Sequence, residues 1–335
     1  MVITLLSLAL SALLIVLLGI RMTRLADRIA DSSHLAKGFV GMLLLAAATS
    51  LPEVVTSLTA VLSGAPGLAF GNVFGSNVVN LSFLFILDLM IAVSIFSIAS
   101  REHVTTGLWA ILLSLVAIGG IATVRVFGWP GWPFSLALVV LYVRALRTSY
   151  AATSSESDGS AIRDMAGPPR HSPWGAFGLA ALGVVVVGLV LTRACESLAR
   201  ETGLGMTFVG SLVLALVTSL PELVVSIEAV RLGSLDMSLG NLAGSNLFNV
   251  TIVAMCDGAG RAACCAAGSP AAVDLWTVPA ASACLPAAVM SVVMMGLFVW
   301  AVSRKSATTV AGRVSPISLA LLLLYILSNA LLFGR

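Results

Sequence analysis

The sequence predicts an all-α polytopic membrane protein with ten transmembrane helices in two inverted-topology five-helix repeats. Three observations support this fold class. The 335-residue chain is 59% hydrophobic and only 10% charged, which is too little charge to cover a soluble domain of this size. Ten apolar stretches are long enough to be membrane spans. A run of polar residues also recurs in both halves of the chain.

The ten predicted spans follow one another closely along the chain. A transmembrane helix needs about 20 mostly apolar residues. The boundaries are least distinct in 235–275, where small residues, Cys and Gly blur the eighth span into the ninth. The predicted spans are 2–20, 38–62, 67–97, 104–124, 131–147, 173–193, 204–230, 235–256, 276–302 and 314–333.

The distribution of basic residues predicts the orientation. No basic residue precedes the first apolar stretch, and Arg21, Arg24 and Arg28 follow it, so we expect a retained helix with its N-terminus outside. Thirteen of the 18 Lys and Arg residues then fall in cytoplasmic connections, as the positive-inside rule requires. An even number of spans places the C-terminus outside as well. The basic residues lie at membrane edges, so the predicted partner is the lipid bilayer and not nucleic acid.

A polar, Ser-rich segment at 148–172 divides the chain into a first half, 1–147, and a second half, 173–335. We interpret this segment as a cytoplasmic linker. High alanine content and the short linker favour the cytoplasmic (inner) membrane of a bacterium.

The two halves share a long motif at an offset of 169 residues. Thr-Ser-Leu-Pro-Glu at 49–53 reappears at 218–222, and Gly-Asn-x-x-Gly-Ser-Asn-x-x-Asn at 71–80 reappears at 240–249. Between 49 and 80, 16 of 32 positions are identical without a gap. Because each half holds five spans, the second enters the membrane from the opposite side, as in many secondary transporters.

Glu53 and Glu222 each lie about midway along a predicted span. A carboxylate at the centre of a membrane helix costs roughly 2.5–3.5 kcal/mol on insertion scales. No Lys or Arg lies near either residue in the predicted spans, so the simplest partner is a bound cation or a proton. The alternative is a protonated glutamate hydrogen-bonded between helices. Pro52 and Pro221 precede the two acids, and each deprives a carbonyl one turn earlier of its helical partner.

Hydroxyl and amide side chains accompany these acids at helical spacing. Thr49 and Glu53 are four residues apart and share a helix face, as do Ser76 and Asn80. Carboxylate, hydroxyl, amide and carbonyl oxygens are hard ligands that suit Na⁺ and Ca²⁺ rather than Zn²⁺ or Cu²⁺. The second half repeats the arrangement with Thr218, Glu222, Ser245 and Asn249.

The remaining polar residues are interpreted as structural or solvated. Asp88 and Asp257 occupy matching repeat positions and are expected to have a structural role. Glu228 is expected to pair with Arg231. The three histidines, His34, His103 and His171, fall in predicted cytoplasmic segments and are expected to be solvated. The chain has no nucleophile–base constellation and no phosphate loop, so neither enzymatic activity nor a cofactor is predicted.

With its doubled Thr-Ser-Leu-Pro-Glu and Gly-Asn-x-x-Gly-Ser-Asn motifs, the chain resembles the cation/calcium exchanger superfamily, specifically its prokaryotic Na⁺/Ca²⁺ exchanger branch. The resemblance implies ten helices, with an ion site between the second, third, seventh and eighth. It also implies that the first and sixth helices slide against the remaining bundle. By matching position, the implied ligands are the carbonyls of Ala46 and Ala215 with the side chains of Thr49, Ser50, Glu53, Ser76, Asn80, Thr218, Ser219, Glu222, Ser245 and Asn249.

One position departs from the family pattern. Asn249 stands where the family often has Asp, and Asn keeps an oxygen ligand but carries neither charge nor an acidic proton. The function that the resemblance implies is antiport of Ca²⁺ against Na⁺ by alternating access. An H⁺/Ca²⁺ antiporter, a passive cation channel and a non-transporting membrane scaffold remain as alternatives.

Overall fold

A computed structural model describes residues 1–33, 35–156, 172–202, 214–266, 274–310 and 314–333. These residues form helices and connecting turns. The helices are α1 Val2–Ser33, α2 Lys37–Thr49, α3 Leu51–Leu62, α4 Pro66–Met90, α5 Ile95–Ile98, α6 Glu102–Phe127, α7 Trp132–Glu156, α8 Trp174–Thr202, α9 Leu214–Thr218, α10 Leu220–Arg231, α11 Leu235–Ala266, α12 Pro279–Ala283, α13 Leu285–Ser303 and α14 Pro316–Phe333.

The described residues confirm an all-helical protein with several membrane spans. Seven helices are long and apolar enough to cross a membrane, and the bent pair α2–α3 raises the number to eight. The apolar part of α14 is shorter, and residues 204–213 of the predicted span 204–230 lie outside the described part of the chain. Ten spans, the inverted relation of the halves and the division at 148–172 therefore stay predictions.

Several helices extend beyond the apolar stretches that predict them. α1 continues to Ser33, α7 to Glu156 and α11 to Ala266. Hydropathy marks only the part of a helix that suits lipid, whereas polar residues with adequate helix propensity continue the same helix beyond it. In the third span the helix ends earlier than predicted: the prediction was 67–97, but α4 ends at Met90 and a separate turn, α5, follows.

The repeated proline motif interrupts a helix in each half. α2 and α3 meet at Ser50 with a bend of 40°. Ser50 has φ −85° and ψ 3°, and its counterpart Ser219 between α9 and α10 has φ −85° and ψ 4°. Within α2, residues Gly41–Leu45 form a π turn, a feature that is frequent at functional sites.

α11 lies at the centre of the bundle and is crossed closely by α2. A Cβ atom at Gly240 would lie 2.2 Å from the carbonyl oxygen of Gly38, and one at Gly244 would lie 2.5 Å from that of Met42. Only glycine permits this approach of two backbones. The close contact brings the break after α2 against the polar part of α11.

The buried apolar residues form two separate clusters. The larger cluster joins α4, α6, α11 and α13, together with parts of α7 and α14. The smaller one is built mainly from α1 and α8, which pack against each other and touch α2 and α10. α1 and α8 correspond to the first and sixth predicted spans, so these two helices form a packing unit distinct from the central core.

Candidate cation site

Glu53 and Glu222 lie in the first turns of α3 and α10, directly after the two helix breaks. Both side chains are completely buried, at 0% exposure. Among the described residues, neither carboxyl group forms an ion pair with Lys, Arg or His. Each acid therefore lies inside the protein without a cationic side chain to balance it.

An asparagine from the following long helix supports the backbone at each glutamate. Asn72 donates its amide N–H to the Glu53 carbonyl oxygen at 3.3 Å and to Ser57 Oγ at 3.0 Å. In the second half, Asn241 donates to the Glu222 carbonyl oxygen at 3.2 Å and to Ser226 Oγ at 3.0 Å. The contacts repeat at the offset of the sequence motif.

Hydrogen bonds between the repeats bring the predicted ligands together. Ser50 donates its hydroxyl to Glu222 Oε1 at 3.0 Å, which links the break in one half to the acid of the other. Thr49 Oγ1 lies 3.5 Å from Ser245 Oγ and 3.4 Å from Asn241 Oδ1. The reciprocal contact joins Thr218 Oγ1 to Asn72 Oδ1 at 3.5 Å.

The site contains a group of buried oxygens that have no hydrogen-bond partner. Twelve buried side-chain atoms of the described residues lack a partner, and seven of them belong to the predicted ligand set. Buried polar atoms normally have a hydrogen-bond partner. A cluster of buried oxygens without one is therefore the pattern expected where oxygens bind a cation. The seven atoms are Glu53 Oε1 and Oε2, Glu222 Oε2, Asn80 Oδ1, Asn249 Oδ1, Ser76 Oγ and Ser219 Oγ.

The carbonyls of Ala46 and Ala215 are already engaged in the helices. Ala46 accepts the N–H of Ser50 at 3.1 Å and the hydroxyl of Thr49 at 3.3 Å. Ala215 accepts the equivalent groups of Ser219 and Thr218 at the same distances. Ion binding by these two carbonyls stays a prediction.

Four asparagines outside the predicted ligand set also contribute to the site: Asn72, Asn77, Asn241 and Asn246. All four belong to the Gly-Asn-x-x-Gly-Ser-Asn repeat, which was the available sign that they matter. Their partners lie on other helices or in the other half. Spacing along one helix therefore cannot reveal them.

Two acids outside the site have the structural role expected of them. Asp88 accepts the Ile95 N–H at 3.0 Å and also binds Ser315 and Ser318 on the approach to α14. Asp257 accepts the Ser135 hydroxyl at 2.7 Å and pairs with an arginine of its own helix. Asp88 therefore holds the segments after α4 and before α14, and Asp257 joins α11 to α7.

Two other expectations are wrong. Glu228 is 3% exposed and pairs with Arg24 of α1 at 2.8 Å, not with Arg231, because α1 packs against α10. His103 is 1% exposed and its Nε2 lies 2.9 Å from Asp236 Oδ1, where α6 meets α11, so it is not solvated. His34 and His171 lie outside the described residues.

The fold and the site define a polytopic helical membrane protein with two paired helix breaks around a buried, oxygen-lined centre. The profile of the sodium/calcium exchanger protein family matches residues 3–151 and 172–334. Because the match covers nearly the whole chain, the chain belongs to the sodium/calcium exchanger protein family.

Several individual proteins are similar to this chain. It is 31% identical over 221 residues to the inner membrane protein YrbG of Escherichia coli, an alignment that covers 64% of this chain and 66% of that protein. It is 26% identical over 241 residues to the putative antiporter CaxA of Alkalimonas amylolytica, covering 68% of this chain and 72% of that one. A shorter stretch of 55 residues, 16% of each chain, is 42% identical to the sodium/calcium exchanger MaX1 of Methanosarcina acetivorans.

Among solved structures, the chain is similar to the sodium–calcium exchanger NCX_Mj soaked with 100 mM Na⁺ and 10 mM Sr²⁺. The superposition covers 98% of this chain and 99% of that one, with a TM-score of 0.70 and 21% identity. The two proteins share a fold over almost their whole length.

Proposed function

We propose that this protein is a secondary antiporter that exchanges Ca²⁺ for Na⁺ by alternating access at the site between Glu53 and Glu222. The observation that carries the proposal is the set of seven buried oxygens without partners, all from the predicted ligand set. The proposed ligands are the twelve already named: Ala46, Thr49, Ser50, Glu53, Ser76, Asn80, Ala215, Thr218, Ser219, Glu222, Ser245 and Asn249.

The chemistry of these donors favours the proposed ions. Ca²⁺ takes six to eight oxygen ligands from carboxylates, amides, hydroxyls and carbonyls. The site offers oxygens of all these classes and no thiolate or imidazole in its proposed ligand set, which disfavours softer transition metals. Two buried carboxylates also supply the two negative charges that one Ca²⁺ neutralises.

Exchange follows if Na⁺ and Ca²⁺ use the same oxygens. Glu53 and Glu222 together cannot neutralise a bound Ca²⁺ and the bound Na⁺ ions at the same time, so occupation by one ion excludes the other. The names of relatives support this pair of ions, since MaX1 and NCX_Mj are described as sodium–calcium exchangers and CaxA as a putative antiporter.

Alternating access requires some helices to move against a stable site. The separate packing of α1 and α8 supports these helices as the moving unit, because they make few of the contacts that form the central core. In this proposal ten spans form two inverted repeats and both termini lie outside. The membrane is the bacterial cytoplasmic (inner) membrane, which the description of the E. coli relative supports.

The test is Ca²⁺ uptake by proteoliposomes. Vesicles containing the purified protein are loaded with Na⁺ and diluted into Na⁺-free buffer that contains ⁴⁵Ca²⁺. We expect uptake that requires the outward Na⁺ gradient and is lost in Glu53→Gln and Glu222→Gln. Glu201→Gln, at an exposed glutamate that binds the N-terminal amino group, is the matched control and should transport as the unmodified chain does.

Parallel conditions separate the alternatives. Uptake driven only by an imposed pH gradient would replace Na⁺ by H⁺ as the coupling ion. Uptake that needs neither gradient would indicate a passive channel. Near-normal Ca²⁺ flux in Glu53→Gln or Glu222→Gln would show that the substituted glutamate is not needed for transport.

A further inference from the structure

A closed set of amide hydrogen bonds connects α4 and α11 at the site. Asn77 donates its side-chain N–H to the carbonyl oxygen of Asn246 at 3.2 Å, and Asn246 donates to the carbonyl oxygen of Asn77 at 3.0 Å. The two residues are 169 positions apart, which is the repeat offset. This reciprocal pair therefore joins equivalent positions of the two halves.

The backbone carbonyls determine how both of these side chains are turned. A carbonyl oxygen only accepts hydrogen bonds, so it must face the NH₂ end of each amide and not its oxygen. Each Oδ1 atom is consequently left to accept another bond. Asn246 Oδ1 accepts the N–H of Asn80, and Asn77 Oδ1 accepts that of Asn249, both at 3.1 Å.

The second pair of amides is thereby oriented as well. Since the NH₂ groups of Asn80 and Asn249 are held by Asn246 and Asn77, the opposite ends of the two amides are oxygens. Asn80 Oδ1 and Asn249 Oδ1 are both buried and have no hydrogen-bond partner. All four asparagines are at most 2% exposed, so water does not compete for these groups.

We propose that Asn77 and Asn246 are positioning residues that keep the amide oxygens of Asn249 and Asn80 directed at the transported cation. The inference rests on the proposed Ca²⁺ site and assigns its two amide ligands a fixed orientation. An asparagine side chain presents either an oxygen or an NH₂ group after a half-turn. Without the reciprocal pair, the NH₂ end is free to face the site, where it repels a cation.

Asparagine at position 249 is part of this hydrogen-bond network. An aspartate there has no N–H to donate to Asn77 Oδ1, and two acceptors would then face each other. The same holds for Asn80 and Asn246. The four-amide network thus accounts for a neutral asparagine, and not an aspartate, at position 249.

The experiment is a double-mutant cycle read out by equilibrium ⁴⁵Ca²⁺ binding to the purified, solubilised protein. Asn246→Leu removes the group that holds Asn80, and we expect Ca²⁺ to bind at least about tenfold more weakly. In Asn80→Asp either orientation of the side chain presents an oxygen to the cation, because both ends of a carboxylate are acceptors. We therefore expect Asn80→Asp to raise Ca²⁺ affinity at least about tenfold more in the Asn246→Leu background than in the unmodified chain.

Controls separate positioning from simple loss of structure. Asn329→Leu alters an asparagine that donates to the Tyr325 carbonyl of its own helix, away from the proposed ligands, and its Ca²⁺ binding should be unchanged. Asn246→Ser removes the same amide without adding bulk and is used if Asn246→Leu does not fold. Melting temperatures in the absence of Ca²⁺ report folding independently of the site.

The outcomes for the two proposals differ. A native protein that binds no Ca²⁺ would reject the proposed function. A native protein that binds Ca²⁺, with unchanged affinity in the Asn246 variants or with additive effects in the cycle, would overturn the positioning role alone. Unfolding of both Asn246 variants would assign the pair to structure and would overturn it too.

Discussion

Replacing Glu53 by Gln removes a charge from the site while keeping the size of the side chain. Both carboxylate oxygens of Glu53 are buried and lack a hydrogen-bond partner within 3.5 Å among the described residues, so they are available to an ion. Breaking a buried charge pair by removing one partner costs roughly 3–5 kcal/mol. Since each 1.4 kcal/mol is a factor of ten, the dissociation constant for Ca²⁺ should rise roughly 100- to 4,000-fold.

Thermal unfolding of the purified protein at increasing Ca²⁺ concentrations measures this change. A ligand present at 100 times its dissociation constant stabilises the folded state by about 2.7 kcal/mol. If that constant rises at least 100-fold, the same Ca²⁺ concentration stabilises Glu53→Gln by no more than about 0.4 kcal/mol. Glu201→Gln, whose glutamate is exposed, should keep the full stabilisation.

A Glu53→Gln protein that Ca²⁺ stabilises as strongly as the unmodified protein would refute this reasoning. It would mean that the unpaired oxygens at Glu53 do not contribute to ion binding. Loss of Ca²⁺ stabilisation in Glu201→Gln as well would show that the assay reports general damage, and not the site.

Three further changes have clear expected results. Gly240→Ala should destabilise the protein by about 1–3 kcal/mol in thermal unfolding, because its Cβ would lie 2.2 Å from a backbone carbonyl oxygen of α2. Gly258→Ala meets nothing within 4 Å and should be neutral or slightly stabilising. Asp88→Ala should lower the free energy of unfolding by at least about 2 kcal/mol, since it leaves buried N–H groups unpaired. Ca²⁺ should still stabilise this variant against thermal unfolding. Loss of the stabilisation by Ca²⁺ would contradict a purely structural role for Asp88. Ser50→Ala removes the 3.0 Å hydrogen bond to Glu222 and should cost about 1–3 kcal/mol in unfolding measurements, with an unchanged melting temperature counting against this contact.

The sequence identified the parts of the site that lie close together along the chain or are duplicated. Glu53 and Glu222 were recognisable because a carboxylate inside an apolar span needs compensation. Their neighbours Thr49 and Thr218 followed from helical spacing. Pro52 and Pro221 indicated a missing hydrogen bond in the preceding turn, but 38–62 and 204–230 were each predicted as one span, without the breaks at Ser50 and Ser219.

Contacts between segments that are distant along the chain could not be predicted from local spacing. Glu228 pairs with Arg24 because α1 packs against α10, and nothing in the local sequence favours that partner over Arg231. His103 is buried because α6 and α11 meet at Asp236. The bond from Asn246 to Asn77 likewise depends on the packing of α4 against α11.

The boundaries of the spans were also only partly predictable. Hydropathy detects the lipid-exposed length of a helix, whereas α1 and α11 continue as helices beyond it. Small, weakly apolar residues build much of α11, since its surroundings are other helices and not lipid.

The central claim is that one set of buried oxygens receives both Ca²⁺ and Na⁺. The most direct measurement is anomalous X-ray diffraction from crystals soaked in Sr²⁺, a heavier analogue of Ca²⁺, at low and at high Na⁺ concentration. We predict one strong anomalous peak within roughly 2.3–2.7 Å of oxygens of Glu53 and Glu222, a spacing close to that of Ca²⁺ ligands, and its loss at high Na⁺. A peak elsewhere, no peak at all, or a peak between the glutamates that high Na⁺ leaves unchanged would contradict the claim.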